Sequence, residues 1–304
     1  DTGGIWVSNY GAVESLHWLS NDKAWQSYSF TQNATRYPLD LITDFYNNVW
    51  MILDPEQGGG VLVHNKEKNT PVYLIDTNGL GGLPSRSVRS GAMDLDGMMW
   101  LGTDEGVCFV DPAAIFSSRV DAVKPIFENN FLLRNDKVTA IAVDGGNRKW
   151  IGTERGVWLF NPSGETLIHN FTNSNSPLPS NLIVDIEIND ETGEVFVSTD
   201  KGLVSFRSDA TAANQQFQNV KIFPNPVTPE FSGTVGISGL STDAIVKITD
   251  VSGKTVWETK PNGGTAAWNV RDARGRRAST GIYLVFSALP DGAESVVGKI
   301  AVVD

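Results

Sequence analysis

Apolar and polar residues alternate in short runs along this chain, and turn residues separate the runs. Val138-Thr-Ala-Ile-Ala-Val143 alternates, Asp144-Gly-Gly-Asn147 follows as a hairpin turn, and Lys149–Thr153 begins the next run. Alternation with a period of two, interrupted by Gly and Asn, is typical of antiparallel strands. Val157–Phe160 and Glu165–Phe171 then complete a four-stranded unit. The pattern therefore predicts an all-β protein.

This unit repeats along the first two thirds of the chain. Trp100-Leu-Gly-Thr-Asp-Glu-Gly-Val matches Trp150-Ile-Gly-Thr-Glu-Arg-Gly-Val, and Phe196-Val-Ser-Thr-Asp-Lys-Gly-Leu is a third copy. Looser copies begin at Trp6 and Trp50. Four strands in every 44 to 50 residues are typical of β-propeller blades, in which each repeated Trp fills the space between neighbouring blades.

These repeats resemble the propeller repeats of the two-component-regulator type, which occur in exported proteins and sensor ectodomains of Bacteroidetes. The blade-linking stretches Gly82-Leu-Pro-Ser85 and Pro177-Leu-Pro-Ser-Asn181 resemble the linkers of that family. We expect about five blades within residues 1–215, the first without its innermost strand. Such an open seam suggests the C-terminal part of a larger ring, and a five-bladed ring with unusual closure is the alternative.

Residues 216–304 follow a different pattern, in which the tryptophan period stops. Seven short runs are predicted as strands of an immunoglobulin-like β-sandwich: Val220–Phe223, Gly233–Ile237, Ile245–Asp250, Thr255–Glu258, Thr265–Asn269, Gly281–Phe286 and Ser295–Val303. Gly-containing turns separate most of these runs.

The order of motifs in this second part resembles the C-terminal sorting domain of type IX secretion cargo. The motif residues are Pro224, Asn225, Pro226, Gly239, Lys247, Gly253, Gly281, Tyr283, Gly298 and Lys299. The resemblance implies passage through the periplasm and across the outer membrane to the cell surface, with the surface sortase as a partner. The local alternative is that the prolines and glycines set turns and block edge pairing. Both roles are compatible.

The net charge of the chain disfavours some classes of binding partner. The 304 residues carry a net charge of −11, and from Lys221 onward there are nine basic and eight acidic residues, so the acidity lies in the propeller part. An acidic surface disfavours nucleic acid and anionic membranes, because both require clustered Lys and Arg. No run of 18 apolar residues is present, so we expect no transmembrane segment.

The sequence contains no recognisable catalytic motif. His17, His64 and His169 have dissimilar neighbours, and the single Cys108 offers neither a disulfide nor a zinc-ligand spacing. Asp94-Leu-Asp96-Gly97 could be interpreted as calcium ligands, but a turn between two strands is the preferred interpretation. We expect no enzyme activity, no metal and no cofactor, although propeller enzymes take catalytic groups from scattered loops.

Basic residues recur in the linkers that precede the innermost strands, where they would face the axial opening of a ring. They are Arg86, Arg89, Arg134 and Lys137, with Asn181 as a weaker candidate. Converging cations could hold an anionic sugar or phosphate. The alternative is that they are ordinary solvated loop charges.

Three functions are compatible with these features. The first is a non-enzymatic surface scaffold resembling the type IX attachment machinery, which implies binding of anionic lipopolysaccharide or of partner proteins. The second is the sensor ectodomain of a hybrid two-component system, which would continue into a transmembrane helix and a kinase. The third is a secreted carbohydrate-active enzyme with a propeller as its catalytic body.

Overall fold

The regular secondary structure of the protein consists almost entirely of β-strands. The computed structural model describes residues 3–68, 70–117, 119–213, 219–241, 243–288 and 294–303. Two compact units divide the chain: Asp1–Val143, Arg148–Glu187 and Phe196–Val204 form the first, and Asp144–Asn147, Ile188–Val195 and Ser205–Asp304 form the second. The predicted boundary between residues 215 and 216 lies outside the described residues and stays a prediction.

Within the described residues, twenty-one strands precede the sandwich. In chain order they are β1 (Ile5–Ser8), β2 (Glu14–Leu19), β3 (Trp25–Ser29), β4 (Pro38–Thr43), β5 (Val49–Leu53), β6 (Val61–His64), β7 (Val72–Leu74), β8 (Leu80–Gly81), β9 (Val88–Met93), β10 (Met99–Thr103), β11 (Gly106–Val110), β12 (Val120–Asp121), β13 (Ile126–Phe127), β14 (Asn130–Phe131), β15 (Val138–Val143), β16 (Lys149–Thr153), β17 (Gly156–Phe160), β18 (Leu167–Phe171), β19 (Ile183–Asn189), β20 (Glu194–Thr199) and β21 (Gly202–Arg207). Short 3₁₀ turns lie at Asn33–Arg36, Pro55–Gln57 and Pro112–Ala114.

Five of the sheets correspond to the five repeats, and we call them blades 1 to 5. Blades 2 and 4 have four strands each, in the orders β4-β5-β6-β7 and β15-β16-β17-β18. Blades 1, 3 and 5 have three strands each, in the orders β1-β2-β3, β9-β10-β11 and β19-β20-β21. Strands that pair in chain order form the meander of a propeller blade, which confirms the predicted fold class.

Two small pairings around blade 3 were not predicted. Strands β8 and β12 pair in parallel, and β13 and β14 form a hairpin in which Ile126 faces Phe131. Each of these strands has only two residues, too few for an alternating pattern to show. The β13–β14 hairpin borders a depression in the surface.

An aspartate in the hairpin turn of blades 2 and 3 fixes the repeated tryptophan of the same blade. In blade 2 the indole Nε1 of Trp50 donates to Asp44 Oδ2 at 2.8 Å, and in blade 3 Trp100 donates to Asp94 Oδ2 at 2.7 Å. The other oxygen of Asp94 accepts from the turn amides of Asp96 and Met98 at 3.0 and 2.8 Å. The structure thus supports the turn interpretation of Asp94-Leu-Asp96-Gly97, since a buried Trp N–H needs an acceptor.

Small residues in the repeat allow consecutive blades to pack closely. A Cβ added to Gly102 would lie 2.5 Å from Val138 Cγ1 of the next blade, and one added to Gly152 would lie 2.6 Å from Ile183 Cγ2. The Gly in the Trp-(Leu/Ile)-Gly-Thr motif is therefore required by the first residue of the following blade. Trp50, Trp100 and Trp150 are fully buried, as the repeat predicts.

A buried ion pair also joins blades 3 and 4. Lys149 Nζ lies 3.0 Å from Asp94 Oδ2, and the side chains are 0% and 3% exposed. The same ammonium lies 4.8 Å from the ring centroid of Trp100. Desolvated charges of this kind are tolerated only when each has a partner, so the pair is part of the core.

The remaining strands form two stacked sheets, as predicted. They are β22 (Lys221–Phe223), β23 (Val235–Ser238), β24 (Ile245–Asp250), β25 (Thr255–Thr259), β26 (Thr265–Trp268), β27 (Gly281–Ala288) and β28 (Glu294–Val302). One sheet has the order β22-β23-β26 and the other β25-β24-β27-β28. Their core includes the fully buried Val235, Ile248 and Trp268. Each predicted strand agrees with an observed one to within two residues at either end.

Candidate functional site

The predicted basic residues lie on blades 2 to 4, and carboxylates neutralise several of them. Arg86 Nε donates to Asp76 Oδ1 at 2.7 Å, with both side chains nearly half exposed. Arg89 is bidentate on Asp104, at 2.8 and 3.0 Å. That hydrogen bond raises the pKa of Arg89, with smaller contributions from the charges of Asp104, Asp54 and Glu154, and it lowers the pKa of Asp104.

Lys137 and Arg134 occupy the loop that leads into blade 4. Lys137 Nζ lies 3.0 Å from Glu154 Oε1. Arg134 donates to the neutral side-chain oxygen of Asn130 at 3.0 Å. Asn181, the weaker candidate, accepts from the amide of Asn173 at 2.7 Å. The structure thus places Arg89 and Lys137 in one charged region, because both influence Asp104, and it places Arg134 beside the β13–β14 hairpin.

The carboxylates in this region share one position of the repeat. Asp54, Asp104 and Glu154 each follow the last residue of the second strand of a blade, at intervals of 50 residues. The sequence pattern points to the cations but not to these partners. Comparing the residue after each repeated Thr or Leu would have found them, because an acid recurs there.

A shallow depression lies where the β13–β14 hairpin meets blade 4, with a volume of about 250 Å³. Aromatic side chains line part of it, and charged and amide side chains line the rest: Phe127, Glu128, Asn130, Phe131, Leu133, Arg134, Asn135, Asp136, Arg155 and Trp158. Arg155 Nε lies 3.3 Å from Asp136 Oδ1. Glu128 and Asn129 have φ values of +49° and +62°, which form the tight turn of the hairpin.

Two buried polar atoms at this depression have no hydrogen-bond partner. They are the indole Nε1 of Trp158 and Oδ1 of Asp136, the latter within ion-pair distance of Arg155 but without hydrogen-bond geometry. An unsatisfied buried donor or acceptor costs about 1–3 kcal/mol, and such groups in native proteins need an explanation. Only Arg134 of this set was predicted from the sequence, because the lining comes from three separate loops and strands.

The Pro224-Asn225-Pro226 motif attaches to the edge strand β28 of the sandwich. Asn225 Nδ2 donates to the carbonyl of Lys299 at 2.8 Å, and Asn225 Oδ1 accepts from the amide of Ala301 at 3.0 Å. Val227, two residues after Asn225, is fully buried; its amide donates to the carbonyl of Ala301 in β28, and its carbonyl accepts from the amide of Val303, just after β28. The motif therefore covers part of an exposed sheet edge, which is the local role considered for it.

The other predicted motif residues occupy turns and strands of the same sandwich. Gly239 and Gly253 have φ values of +82° and +84°. A Cβ on Gly298 would lie 2.4 Å from Ile222 Cδ1, so Gly298 is needed for packing. Gly281 begins β27, and Tyr283 is buried in the same strand. Lys247 is half-buried in β24, and Lys299 is exposed on β28.

The histidines do not assemble a catalytic group in the described part of the chain. His17 contacts Ser27, His169 packs on Phe171, and His64 is buried against aromatic rings. No group of three or more His, Cys, Asp or Glu side chains among the described residues could hold a metal ion. None of the helices in the described ranges is long and apolar enough to cross a membrane.

The chain is similar to solved structures of surface proteins, whereas no protein-family model and no curated protein sequence matches it. One is PorZ, an essential bacterial surface component of the type-IX secretion system of Porphyromonas gingivalis. The two share 26% identity with a TM-score of 0.67, over 100% of this chain and 44% of PorZ. A second is described as the extracellular domain of a candidate hybrid two-component system from B. thetaiotaomicron. It has 14% identity, a TM-score of 0.51, and coverage of 100% of this chain and 43% of its own.

These similarities support a PorZ-like propeller at the level of fold. The chain spans less than half the length of either structure. A gluconolactonase from Xanthomonas campestris also aligns, with 13% identity and a TM-score of 0.44 over 66% of this chain and 67% of its own. A similarity that distant carries no argument about activity.

Proposed function

We propose that this chain is a non-enzymatic, exported scaffold of the type IX secretion attachment machinery. Its blades would bind anionic lipopolysaccharide, another glycan or partner proteins, among them the surface sortase, and residues 216–304 would direct translocation across the outer membrane. The observation that carries the proposal is the similarity to PorZ, which extends over the whole chain, blades and sandwich together.

Surface display is the most direct test. The natural, full-length protein would be expressed with an epitope tag in a Bacteroidetes strain that has a functional type IX translocon and in a strain that lacks it. We expect labelling by antibody on intact cells, and co-purification of the sortase, only in the first strain. Equal surface labelling in both strains would exclude the proposed route.

The role of the sorting-domain motifs can be tested by a point substitution on the exposed edge strand. Lys299→Glu reverses a charge on β28, and Lys260→Glu makes the same change at an exposed position outside the motifs. If the motif residues are recognised during export, Lys299→Glu lowers the surface fraction and Lys260→Glu does not. Equal export of both variants would restrict the motif lysine to a structural role.

Anion binding by the linker cations is a separate part of the proposal. Because Asp76 and Asp104 hold Arg86 and Arg89, an anionic ligand must compete with these carboxylates. We expect the Arg86→Ala/Arg134→Ala variant to bind purified lipopolysaccharide more weakly, and Asp104→Asn to bind it more strongly because Arg89 is released. Unchanged affinity in both variants, measured by surface plasmon resonance at two salt concentrations, would show that the cations are ordinary solvated charges.

A sensor ectodomain remains the second candidate function. The fold similarity to the extracellular domain from B. thetaiotaomicron supports it, at an identity that speaks only for the fold. Surface display that depends on the translocon favours the scaffold, whereas retention in the inner membrane as part of a longer signalling protein favours the sensor.

A further inference from the structure

We propose that the depression between the β13–β14 hairpin and blade 4 binds one neutral sugar ring. This inference rests on the geometry of the first unit and does not depend on the type IX role. It also differs from the anion-binding proposal, because it concerns an uncharged ligand.

The size of the depression limits the ligand to about one ring. Its volume of about 250 Å³ lies below the range of roughly 300–1,000 Å³ that is usual for sites of drug-sized molecules. A single six-membered sugar ring is of a suitable size, whereas an oligosaccharide would have to extend into solvent. The ligand is therefore one unit, either free or at the accessible end or branch of a glycan.

Three aromatic side chains provide the apolar surface that the C–H face of a sugar requires. Phe131 is 47% exposed although it is a large apolar residue. Phe127 packs edge-on against Phe160 with centroids 5.1 Å apart, and Trp158 lies parallel to the same ring at 6.4 Å. Phe160 is fully buried, so it anchors both lining rings to the core of blade 4. Rings fixed in this way present a preorganised wall.

The polar atoms of the depression match ligand hydroxyl groups better than ligand groups that can only donate or only accept a hydrogen bond. Trp158 Nε1 is a donor that lacks an acceptor, and Asp136 Oδ1 is an acceptor that lacks a hydrogen bond. A hydroxyl both donates and accepts, so neighbouring hydroxyls on one ring can satisfy both atoms when exposed side chains such as Arg155 move aside. Asn130 and Asn135 add amide groups that can donate and accept at the same time.

The charges in the depression cancel, which favours a neutral ligand. Arg134 and Arg155 contribute two positive charges, and Glu128 and Asp136 contribute two negative ones. Arg155 and Asp136 already form an ion pair at 3.3 Å. An anion would gain attraction from the arginines but would be repelled by the carboxylates. A polyhydroxy ring can instead use the two coplanar polar atoms of each of these side chains.

The test uses methyl glucopyranoside, methyl mannopyranoside and methyl galactopyranoside as neutral probes and glucuronic acid as the charged probe. Saturation-transfer NMR with the full chain would measure each affinity. We expect at least one neutral glycoside to bind with a dissociation constant on the order of 1 mM, as a ring-sized ligand should. Phe131→Ala should weaken it about tenfold, and Trp158→Phe, which keeps one aromatic ring but loses the five-membered ring with its N–H donor, about fivefold.

Phe45→Ala is the matched control, because Phe45 is 72% exposed in a hairpin of blade 2 and lies outside the depression. It should leave affinity unchanged, and all variants should keep the thermal transition of the parent. The proposal is overturned if no neutral glycoside binds at concentrations up to about ten times the expected dissociation constant. It is also overturned if Phe131→Ala and Trp158→Phe bind like the parent, or if glucuronic acid alone binds.

Discussion

The buried Lys149–Asp94 pair offers the sharpest test of how blades 3 and 4 are held together. The substitution is Lys149→Met, which the repeat itself suggests, because Met99 occupies the equivalent, fully buried position at the start of β10. Methionine is close to lysine in length and should fit without a large cavity. The change therefore removes the positive charge and little else.

The expected magnitude follows from the geometry. Two unit charges 3.0 Å apart attract by about 5 kcal/mol at an effective dielectric constant of about 20. Desolvation of both groups offsets much of this attraction, but removing one partner leaves the other buried and uncompensated, which typically costs about 3–5 kcal/mol. Asp94 keeps its hydrogen bonds from Trp100 and the turn amides, so we expect the lower half of that range.

Urea unfolding followed by tryptophan fluorescence is a suitable assay, because seven of the nine tryptophans precede the sandwich. A loss of about 3–4 kcal/mol would lower the midpoint of the blade transition by roughly 1–2 M. Lys137→Met is the control, since Lys137 pairs with Glu154 at the surface and such pairs contribute about 0–1 kcal/mol.

A double-mutant cycle completes the argument. Adding Asp94→Asn to Lys149→Met removes the uncompensated carboxylate, so the double variant should be more stable than the sum of the single effects predicts, by at least about 1 kcal/mol. The reasoning is refuted if Lys149→Met costs no more than Lys137→Met, or if the cycle shows no coupling.

Three further outcomes are expected. Burial lowers the pKa of His64, so the unfolded chain binds a proton at this residue more readily than the folded chain does. The free energy of unfolding should therefore fall as the pH drops below about 6.5, by up to ~1.4 kcal/mol per pH unit. In urea titrations the His64→Phe variant should lack that slope, and the His169→Gln variant, changed at an exposed histidine, should keep it. Asn225→Ala removes two hydrogen bonds to β28 and should destabilise the sandwich by about 1–2 kcal/mol in thermal unfolding, with Asn269→Ala, which loses one turn bond, costing less. Burial raises the pKa of Cys108 to about 12, so a thiol reagent should react at pH 7.5 only as fast as blade 3 opens; reaction at the rate of a free thiol would contradict this burial.

The repeat made the blades predictable because each essential contact lies within one period or at its boundary. In blades 2 and 3 the Trp donates to an Asp six residues earlier, and in blades 3 and 4 the Gly two residues after the Trp makes room for the next blade, so both features recur at the repeat spacing. The sandwich strands were predictable for a similar reason, since Gly-containing turns separate well-alternating runs.

The depression and the buried pair could not be predicted, because neither is periodic. Lys149 stands before a repeated Trp where blades 2 and 3 have Val49 and Met99, and a lone lysine in a strand ordinarily suggests exposure. The lining of the depression depends on the β13–β14 hairpin, whose two-residue strands leave no alternating pattern. Residues far apart in sequence, such as Phe131 and Trp158, line the depression together, and their proximity is known only once the fold is known.

The two kinds of ion pair in this protein imply different uses of charge. Arg89 and Asp104 are about one-third exposed, so their pairing contributes little to stability and can be exchanged for a ligand at small cost. Lys149 and Asp94 are almost fully buried, and exchange there would require separating blades 3 and 4. Arg86 or Arg89 alone would also add little affinity, since Asp76 or Asp104 competes with the ligand. If the proposed anion binding occurs, it must therefore involve several exposed cations acting together, and a double substitution such as Arg86→Ala/Arg134→Ala tests it more directly than either single one.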